Sequence, residues 1–352
     1  MIDPFGRTID YLRVSVTDQC NLRCVYCMPE EGLPFEPPQN ILTDDELVRV
    51  VRIAAESGTR KVRLTGGEPL LRRNLPALVA RIAALPGIED LSATTNGYLL
   101  GRDAQALADA GLTRVNVSLD TLQADRFKSL ARRGSIDRVL EGIQAAKDAG
   151  LAPLKLNCVL MKGFNDDEAV DFARWSARES IHVRFIELMP IRWNMDDALP
   201  QRSSGTDGLL NLQQAQGGML SDVQMRRAYI SAGDTQALIE DALGALEPAE
   251  VATNGPARTF RVAGGLGTVG FISQISNDLC ERCNRLRLTA DGFLRPCLME
   301  DGEVDLRRPI RAGATDEELH ALFAGVVAAK PERHYLAEGQ RVTNRAMSQI
   351  GG

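Results

Sequence analysis

Six of the seven cysteines in this 352-residue chain fall into two groups of three. Their spacings are C-x₃-C-x₂-C near the amino end and C-x₂-C-x₁₃-C near the carboxyl end. The first cysteine group is Cys20, Cys24 and Cys27, and the second is Cys280, Cys283 and Cys297. Three thiolates can hold one face of an iron–sulfur cluster, whereas a complete [4Fe-4S] cluster takes four ligands. Each group therefore predicts a cluster with one iron left open for another molecule.

A structural zinc ion is the alternative for each cysteine group, because zinc takes four Cys or His ligands. The three histidines, His182, His320 and His334, all lie apart from the cysteine groups in the sequence. This disfavours zinc at the first group, and zinc with a distant fourth ligand stays open at the second. The seventh cysteine, Cys158, falls on the apolar side of a predicted strand and is most simply a small core residue.

The elements that must position these cysteines alternate between strand and helix. Strands are predicted at 11–16, 61–64, 91–95, 114–119, 154–160 and 182–188. Helices are predicted at 43–57, 75–85, 103–110, 122–131, 135–149 and 167–178. Alternation of this kind indicates parallel strands. Six units fall short of the eight of a closed barrel, so the sequence predicts an α/β fold with a partial (β/α)₆ TIM-like barrel.

One face of these strands is polar, which is unusual for a barrel interior. Because side chains alternate between the two faces of a strand, every second residue lies on the same face. Four cations fall on the polar face, together with Glu187 and Met189 on the last strand. The cations are Arg13, Lys61, Arg63 and Lys155. A solvated face of an antiparallel sheet is the alternative, but helices intervene between the strands. The pattern favours a ligand-holding lumen, and its cations suit an anion such as a phosphate.

The remaining chain divides into two further regions beside the barrel at 1–190. Residues 191–250 break the alternation and include a Gln-, Gly- and Ser-rich stretch at 201–218, so they predict a long, partly flexible insertion or connection. Residues 251–352 predict a smaller α+β unit that carries the second cysteine group. Its strands are expected at 259–272 and 285–289, followed by a hairpin return at 293–298 and a helix at 315–330. The chain ends in Gly351-Gly352.

Charge and hydropathy exclude several classes of function. The formal net charge of −6 argues against general binding to nucleic acid or to a membrane surface. We find neither a secretory leader nor an apolar run of 18 residues. The sequence therefore predicts a cytoplasmic protein that binds neither a membrane nor nucleic acid.

The motifs together resemble those of a known superfamily. The loop at 20–27 has an aromatic residue, Tyr26, before its third cysteine, and Gly66-Gly67-Glu68-Pro69 follows the second predicted strand. This combination resembles the radical S-adenosylmethionine superfamily. Further segments resemble the GTP 3′,8-cyclase family within it: Arg63-Leu64-Thr65, Thr94-Thr95-Asn96-Gly97, Asn116-Val117-Ser118-Leu119-Asp120, Phe185-Ile186-Glu187-Leu188-Met189, the second cysteine group and the Gly-Gly tail.

The resemblance implies an activity and its cofactors. The family converts GTP to (8S)-3′,8-cyclo-7,8-dihydroguanosine 5′-triphosphate, the first step of molybdenum cofactor (molybdopterin) biosynthesis. The reaction is that of a lyase with two [4Fe-4S] clusters and S-adenosylmethionine, whose cleavage yields a 5′-deoxyadenosyl radical. That radical takes hydrogen from C3′ of the ribose, and C3′ then attacks C8 of guanine. An external low-potential reductant, a downstream cyclic pyranopterin monophosphate synthase and a homodimer are the implied partners.

The resemblance also assigns binding residues by matched position. The contacts expected for S-adenosylmethionine are Tyr26, Gly67, Ser118 and Met189. Those expected for GTP are Arg13, Arg63, Thr94, Lys155, Arg285, Leu286 and Arg287. The family threads its Gly-Gly tail into the site, which assigns the same place to Gly351 and Gly352. No catalytic residue is expected beyond the six cluster ligands and the residues that position the radical.

Two other functions compete with this interpretation. One is another radical S-adenosylmethionine enzyme with an auxiliary cluster, such as a peptide maturase, although maturases usually carry a C-terminal unit richer in cysteine. The other is an iron–sulfur electron carrier or a zinc-binding interaction protein. Neither an electron carrier nor an interaction protein needs a polar, cationic lumen.

Overall fold

A computed structural model of the chain describes residues 1–189, 219–251, 255–276, 279–335, 342 and 344–351. The expectations for the stretch at 201–218 and for Gly352 lie outside the described residues. Within the ranges just given, we find no helix that is both long enough and apolar enough to cross a membrane.

The described strands form a single twelve-stranded sheet. They are β1 (Tyr11–Ser15), β2 (Lys61–Thr65), β3 (Asp90–Thr95), β4 (Arg114–Ser118), β5 (Lys155–Leu160), β6 (His182–Glu187), β7 (Glu247–Pro248), β8 (Arg258–Arg261), β9 (Thr268–Ile272), β10 (Arg285–Leu288), β11 (Phe293–Arg295) and β12 (Val304–Asp305). Their order across the sheet is β12-β11-β10-β1-β2-β3-β4-β5-β6-β9-β8-β7.

Parallel pairing runs through the centre of this sheet. Strands β1 to β6 are parallel neighbours, which confirms the predicted α/β fold with a partial (β/α)₆ barrel. Strand β10 adds to the free edge of β1, and β9 adds to the free edge of β6, both in parallel. The C-terminal strands therefore extend the barrel sheet on both sides, and the sheet stays open because its outer strands are β12 and β7.

The described helices follow the strands in sequence. They are α1 (Asp44–Glu56), α2 (Leu75–Ala83), α3 (Leu100–Asp109), α4 (Ala124–Ala131), α5 (Ile136–Asp148), α6 (Ala169–Arg178), α7 (Asp222–Ala228), α8 (Ala232–Leu243), α9 (Arg307–Arg311) and α10 (Asp316–Ala328).

Helix α1 shows how local sequence sets these boundaries. The Thr43 side chain accepts a hydrogen bond from the Glu46 N–H, and the Glu46 carboxylate accepts one from the Thr43 N–H. This capping box satisfies two N–H groups that the helix start would otherwise leave unpaired. Leu47 and Val50 are buried on the face toward the sheet, and the chain leaves the helix at Gly58, whose φ is +104°.

Two local expectations differ from the structure. The single strand expected at 259–272 is the antiparallel pair β8 and β9, because the chain reverses through a turn in which Gly264 has a φ of +71°. Helices α7 and α8 lie in the region expected to be a connection. Each begins with a capping serine, Ser221 and Ser231, that accepts a backbone hydrogen bond.

Candidate active site

A cavity of about 260 Å³ lies in the polar lumen of the open barrel. Its lining includes the first cysteine group, every residue expected to contact S-adenosylmethionine, and most of those expected to contact GTP. These residues are Cys20, Cys24, Cys27, Tyr26, Gly67, Ser118, Met189, Arg13, Arg63, Thr94, Arg285 and Arg287. The structure thus brings together side chains from loops and strands far apart in the sequence.

The loop of the first cysteine group is held against the Gly-Gly turn that follows β2. The Gly67 N–H donates to the Thr17 carbonyl at 2.9 Å, and the Glu68 N–H donates to the Gln19 carbonyl at 2.7 Å. A side chain at Gly67 would collide with the Gln19 carbonyl oxygen. Glycine is therefore required here because the two backbones approach too closely for a Cβ atom.

The other side of this loop is tied to the end of α4. The Arg23 N–H donates to the Ala131 carbonyl at 2.9 Å, and the Val25 N–H donates to the Leu130 carbonyl at 3.0 Å. With the Gly-Gly turn on one side and α4 on the other, the loop that carries the three thiols has a fixed backbone.

Burial dominates the ionisation of the first cysteine group. It raises the pKa of Cys20 to about 11 and that of Cys27 to about 12, and neighbouring thiolates raise the pKa of Cys24 further above its ordinary value. Three half-buried thiols that are hard to ionise together are stabilised when a cation such as iron replaces their protons. The first group therefore fits an iron–sulfur cluster.

A cluster and a single metal ion place different demands on three thiolates. Among the residues that the structure describes, no three His, Cys, Asp or Glu side chains converge as ligands of one metal ion. A [4Fe-4S] cluster differs because each thiolate binds its own iron, and the sulfurs are held apart.

Tyr26 connects this loop to the next strands. Its hydroxyl donates to Asp120 Oδ2 at 2.7 Å, and Asp120 Oδ1 accepts from the Val159 N–H at 2.8 Å. Burial raises the pKa of Asp120 to about 6. Asp120 therefore fixes the ring of Tyr26 beside the cysteines, a role that the sequence alone did not predict.

The second cysteine group lies at the amino end of β10. Cys280 and Cys283 close a single turn, with the Cys283 N–H donating to the Cys280 carbonyl at 3.0 Å, and Cys297 returns beside them after β11. All three line a small cavity that shares Arg285 and Arg287 with the lumen cavity. The two cysteine groups therefore face adjoining spaces.

Two buried cations, Arg7 and Lys330, support the second cysteine group. Arg7 Nη1 donates to the Cys280 carbonyl at 2.8 Å, and Lys330 Nζ donates to the Pro296 carbonyl at 2.6 Å. Burial alone would raise the pKa of Cys283, but Lys330 and Arg285 outweigh it and lower the pKa to about 7. This site also fits an anionic cluster. No sequence signal indicated either cation.

Three arginines form a row across the lumen. Arg287 on β10, Arg13 on β1 and Arg63 on β2 are paired in register, so their side chains leave the same face about 4.8 Å apart. Burial lowers the pKa of all three, that of Arg287 to about 10, and the charge of Arg287 lowers that of Arg13 further. Such a row is a site for a polyanion.

Two more buried cations extend the anion site along β5 and β6. Burial and neighbouring cations lower the pKa of Lys155 to about 7 and that of Arg184 to about 9. They line a second cavity of about 460 Å³ together with His182 and Thr268. Arg184 was not among the expected site residues.

The lumen position expected for Glu187 was wrong, although Met189 lines the lumen cavity as expected. Arg184 and Ile186 line the lumen cavity, and Glu187 points to the opposite face. There the Glu187 carboxylate accepts hydrogen bonds from the backbone N–H groups of Ala232 at 2.9 Å and Ile275 at 2.7 Å. The Ser276 N–H is a third donor to this carboxylate, at 2.9 Å. Glu187 was therefore misassigned because it is polar for a structural reason: it satisfies three backbone donors.

Several buried polar atoms of the lumen have no hydrogen-bond partner in the part of the chain described. They are Arg63 Nη2, Arg184 Nε, Asn116 Oδ1, Asn157 Oδ1 and Thr65 Oγ1. Buried polar groups are normally satisfied, so this concentration in one lumen indicates a ligand site.

Two of the expected residues, Leu286 and Lys61, take other positions, whereas the tail residue Gly351 lies where it was expected. Leu286 lies in the hydrophobic core, on the face of β10 opposite to the arginines, so only its backbone is open to a ligand. Lys61 pairs with Asp10 at 2.8 Å at the amino end of β2. Gly351 enters the lumen, where its carbonyl accepts hydrogen bonds from Arg13 Nη2 at 2.9 Å and Arg287 Nη1 at 3.1 Å.

A buried ion-pair network holds the tail that carries Gly351. Arg345 Nη1 and Nη2 donate to the two carboxylate oxygens of Asp291 at 3.0 and 2.9 Å, and Arg345 Nε donates to Glu303 at 2.7 Å. Arg295 adds a second cation to Glu303 at 2.6 Å. This network fixes the tail to the β10–β12 end of the sheet.

The open parallel barrel and the loop with three cysteines are features of one class of protein, and comparison with known families identifies that class. The family model described as "Radical SAM superfamily" matches residues 14–176, and the one described as "Molybdenum Cofactor Synthesis C" matches residues 216–336. A solved structure of SuiB from Streptococcus suis, bound to S-adenosylmethionine, aligns with a TM-score of 0.50 at 15% identity, over 85% of this chain and 63% of that chain. This likeness shows a shared fold only.

Curated relatives give the family. The GTP 3′,8-cyclase of Moorella thermoacetica is 50% identical over 353 residues, and that of Pelotomaculum thermopropionicum is 49% identical over 353 residues. Both alignments cover 100% of this chain and 100% of the relative. This chain therefore belongs to the GTP 3′,8-cyclase family of the radical S-adenosylmethionine superfamily.

Proposed function

We propose that this protein converts GTP to (8S)-3′,8-cyclo-7,8-dihydroguanosine 5′-triphosphate, the first step of molybdenum cofactor biosynthesis. The observation that carries the proposal is the pair of three-thiol sites on adjoining cavities, with Arg285 and Arg287 between them. When bound at the first cysteine group, a reduced [4Fe-4S] cluster supplies the electron that cleaves S-adenosylmethionine to methionine and a 5′-deoxyadenosyl radical. A second [4Fe-4S] cluster would be held by Cys280, Cys283 and Cys297, beside the part of the lumen lined by Arg285 and Arg287, and would offer an iron to the substrate.

The change in GTP balances without an acid or base from the protein. C3′ of the ribose loses a hydrogen atom to the 5′-deoxyadenosyl radical, which becomes 5′-deoxyadenosine, and C3′ then bonds to C8 of guanine. The cyclised radical takes up one electron from an external low-potential reductant and one proton from solvent. The protein places the reacting carbons and excludes water. A downstream cyclic pyranopterin monophosphate synthase is the expected consumer of the product.

We assign the cationic lumen to GTP. Burial and neighbouring cations lower the pKa values of Arg13, Arg63 and Lys155, and a bound triphosphate would stabilise the charged forms of all three. Arg285, Arg287 and the backbone of Leu286 lie beside the second cysteine group and are assigned to the nucleoside end, with Thr94 on the lumen wall. We add Arg184, which shares a cavity with Lys155, to the phosphate contacts.

The other end of the lumen is assigned to S-adenosylmethionine. Tyr26, Gly67, Ser118 and Met189 line the lumen cavity together with the first cysteine group. The Gly-Gly turn exposes backbone groups there, and Met189 offers an apolar, polarizable contact for the adenine ring.

The experiment is an anaerobic turnover assay. Reconstituted, reduced protein with S-adenosylmethionine and GTP is expected to yield 5′-deoxyadenosine and a cyclised purine nucleotide, measured by liquid chromatography and mass spectrometry. Formation of 5′-deoxyadenosine without consumption of GTP would contradict the substrate assignment.

Iron counting checks the two sites separately. Cys24→Ala and Cys283→Ala are each expected to lose about four irons per chain. Cys158→Ala is the matched control, because Cys158 is a buried core cysteine outside both groups, and its iron content should equal that of the wild type. Stoichiometric zinc at either group would contradict the cluster assignment.

A further inference from the structure

Lys330 is a buried cation that the reaction proposed above leaves without a role. It follows α10 and is only 3% exposed. Its ammonium donates to the carbonyls of Pro296 at 2.6 Å and Arg285 at 2.9 Å, and it is hydrogen-bonded to the side chain of Cys283. All three partners belong to the segment that carries the second cysteine group.

Among the residues that the structure describes, no carboxylate is paired with the charge of Lys330. Within the described ranges, no Asp or Glu oxygen lies within 4.0 Å of its nitrogen, and its other partners are neutral carbonyls. A buried ammonium is costly unless an anion compensates for it. The nearby Arg7 shows the contrast, because its guanidinium is paired with the Asp3 carboxylate at 2.6 Å.

An iron–sulfur cluster on the second cysteine group would supply the missing anion. Three thiolates on a [4Fe-4S]²⁺ core carry a net charge of −1, which becomes −2 on reduction by one electron. A fixed positive charge next to a ligating sulfur stabilises the more negative state and raises the reduction potential.

We propose that Lys330 is a positioning residue that sets the reduction potential of the second cluster through its charge beside Cys283. The inference rests on the proposed function, because it requires a cluster at the second group. Arg7 reinforces the arrangement, since its guanidinium binds the Cys280 carbonyl and also the carbonyls of Pro331 and Glu332, which directly follow Lys330.

The test measures the potential of the second cluster alone. In the full-length chain, the first cysteine group is replaced by alanine, the protein is reconstituted, and the remaining cluster is titrated with electron paramagnetic resonance as the readout. Lys330→Gln keeps a hydrogen-bond donor but removes the charge, whereas Lys330→Arg keeps the charge. Lys147→Gln is the matched control, because Lys147 lies on α5 and pairs with Glu179 away from both groups.

Lys330→Gln is expected to lower the potential so that the ratio of reduced to oxidised cluster falls at least tenfold at a given potential, which is about 59 mV for one electron. Lys330→Arg and Lys147→Gln should stay close to the parent. Loss of iron from Lys330→Gln alone, with Lys330→Arg retaining it, also supports the charge role.

Three outcomes would overturn the inference. If the reduction potential of the second cluster is unchanged in Lys330→Gln, Lys330 acts only as a hydrogen-bond donor. Loss of iron from both variants would show that the shape of the lysine matters and its charge does not. A parent that binds no iron at the second group would overturn the proposed second cluster itself, so the two failures are distinguishable.

Discussion

The tail residue Gly351 gives a prediction whose magnitude follows from its surroundings. Gly351 has a φ of +73°, and a Cβ atom there would lie 2.5 Å from Thr65 Oγ1. Alanine in the left-handed region costs about 1–2 kcal/mol. The steric contact forces the tail to shift, which weakens the hydrogen bonds from Arg13 and Arg287, each worth about 1.5–3 kcal/mol for a charged donor.

Gly351→Ala should therefore disfavour the seated tail by about 3 kcal/mol or more, which is roughly a hundredfold. Because the same arginines are assigned to GTP, a displaced tail also displaces them. We expect the initial rate of GTP consumption to fall by a similar factor in the anaerobic assay.

Two controls separate the causes. Gly264→Ala places alanine at a similar φ of +71° with nothing within 4 Å, so it carries the backbone cost without contact in the lumen, and turnover should remain close to that of the wild type. Thr65→Ala removes the obstructing oxygen, after which the closest remaining atoms lie at 3.6 Å. The double variant Thr65→Ala/Gly351→Ala should recover about tenfold relative to Gly351→Ala. The reasoning is refuted if Gly351→Ala behaves like Gly264→Ala, or if removal of Oγ1 restores nothing.

The cationic lumen supports three further predictions. The pKa of Lys155 is about 7 and should rise when a phosphate binds, so the affinity for GTP should not depend on this group below pH 7 and should fall by up to tenfold per pH unit above it. In equilibrium dialysis, Lys155→Gln should lose this dependence of GTP affinity on pH. A variant whose affinity falls with pH as steeply as that of the wild type would contradict the assignment. Arg285→Ala should weaken binding of GTP more than binding of S-adenosylmethionine, and equal losses in dialysis would count against its place beside the purine. Inorganic triphosphate at 100 times its Kd should stabilise the cluster-free protein by about 2.7 kcal/mol, which is measured as a higher melting temperature. Arg13→Glu, which reverses the charge at the centre of the arginine row, should abolish that shift.

Local physics made most of the barrel predictable. Capping boxes at Thr43 and Thr315 mark the starts of α1 and α10, and both are present in the structure. Strict alternation along β1 separates Leu12 and Val14, which are in the core, from Arg13, which lines the lumen. Signals that span a few residues were therefore sufficient for the (β/α)₆ elements and for Arg13 and Arg63, two of the three members of the arginine row.

Pairings between distant segments were not predictable in the same way. Nothing in the sequence of β9 and β10 says that they add in parallel to opposite edges of the barrel sheet, because register is decided by the partner strand. Lys330 and Arg7 were missed for a related reason: both reach the segment of the second cysteine group through hydrogen bonds to its backbone carbonyls, which carry no sequence signature. On β6, the buried carboxylate of Glu187 accepts backbone hydrogen bonds, and its polar side chain was therefore mistaken for a lumen residue.

The strand directions explain why the two cysteine groups need not touch. Tyr11 at the amino end of β1 is paired with Arg285, two residues after Cys283, whereas the loop with Cys20 follows the carboxyl end of β1. Because β11 runs antiparallel to β10, it returns Cys297 to the same end as Cys283. Five residues of β1 at about 3.3 Å each place roughly 16 Å between the two ends. Under the proposed function, a ligand at one group and a ligand at the other therefore meet over the arginine row, which lies between the two ends of β1.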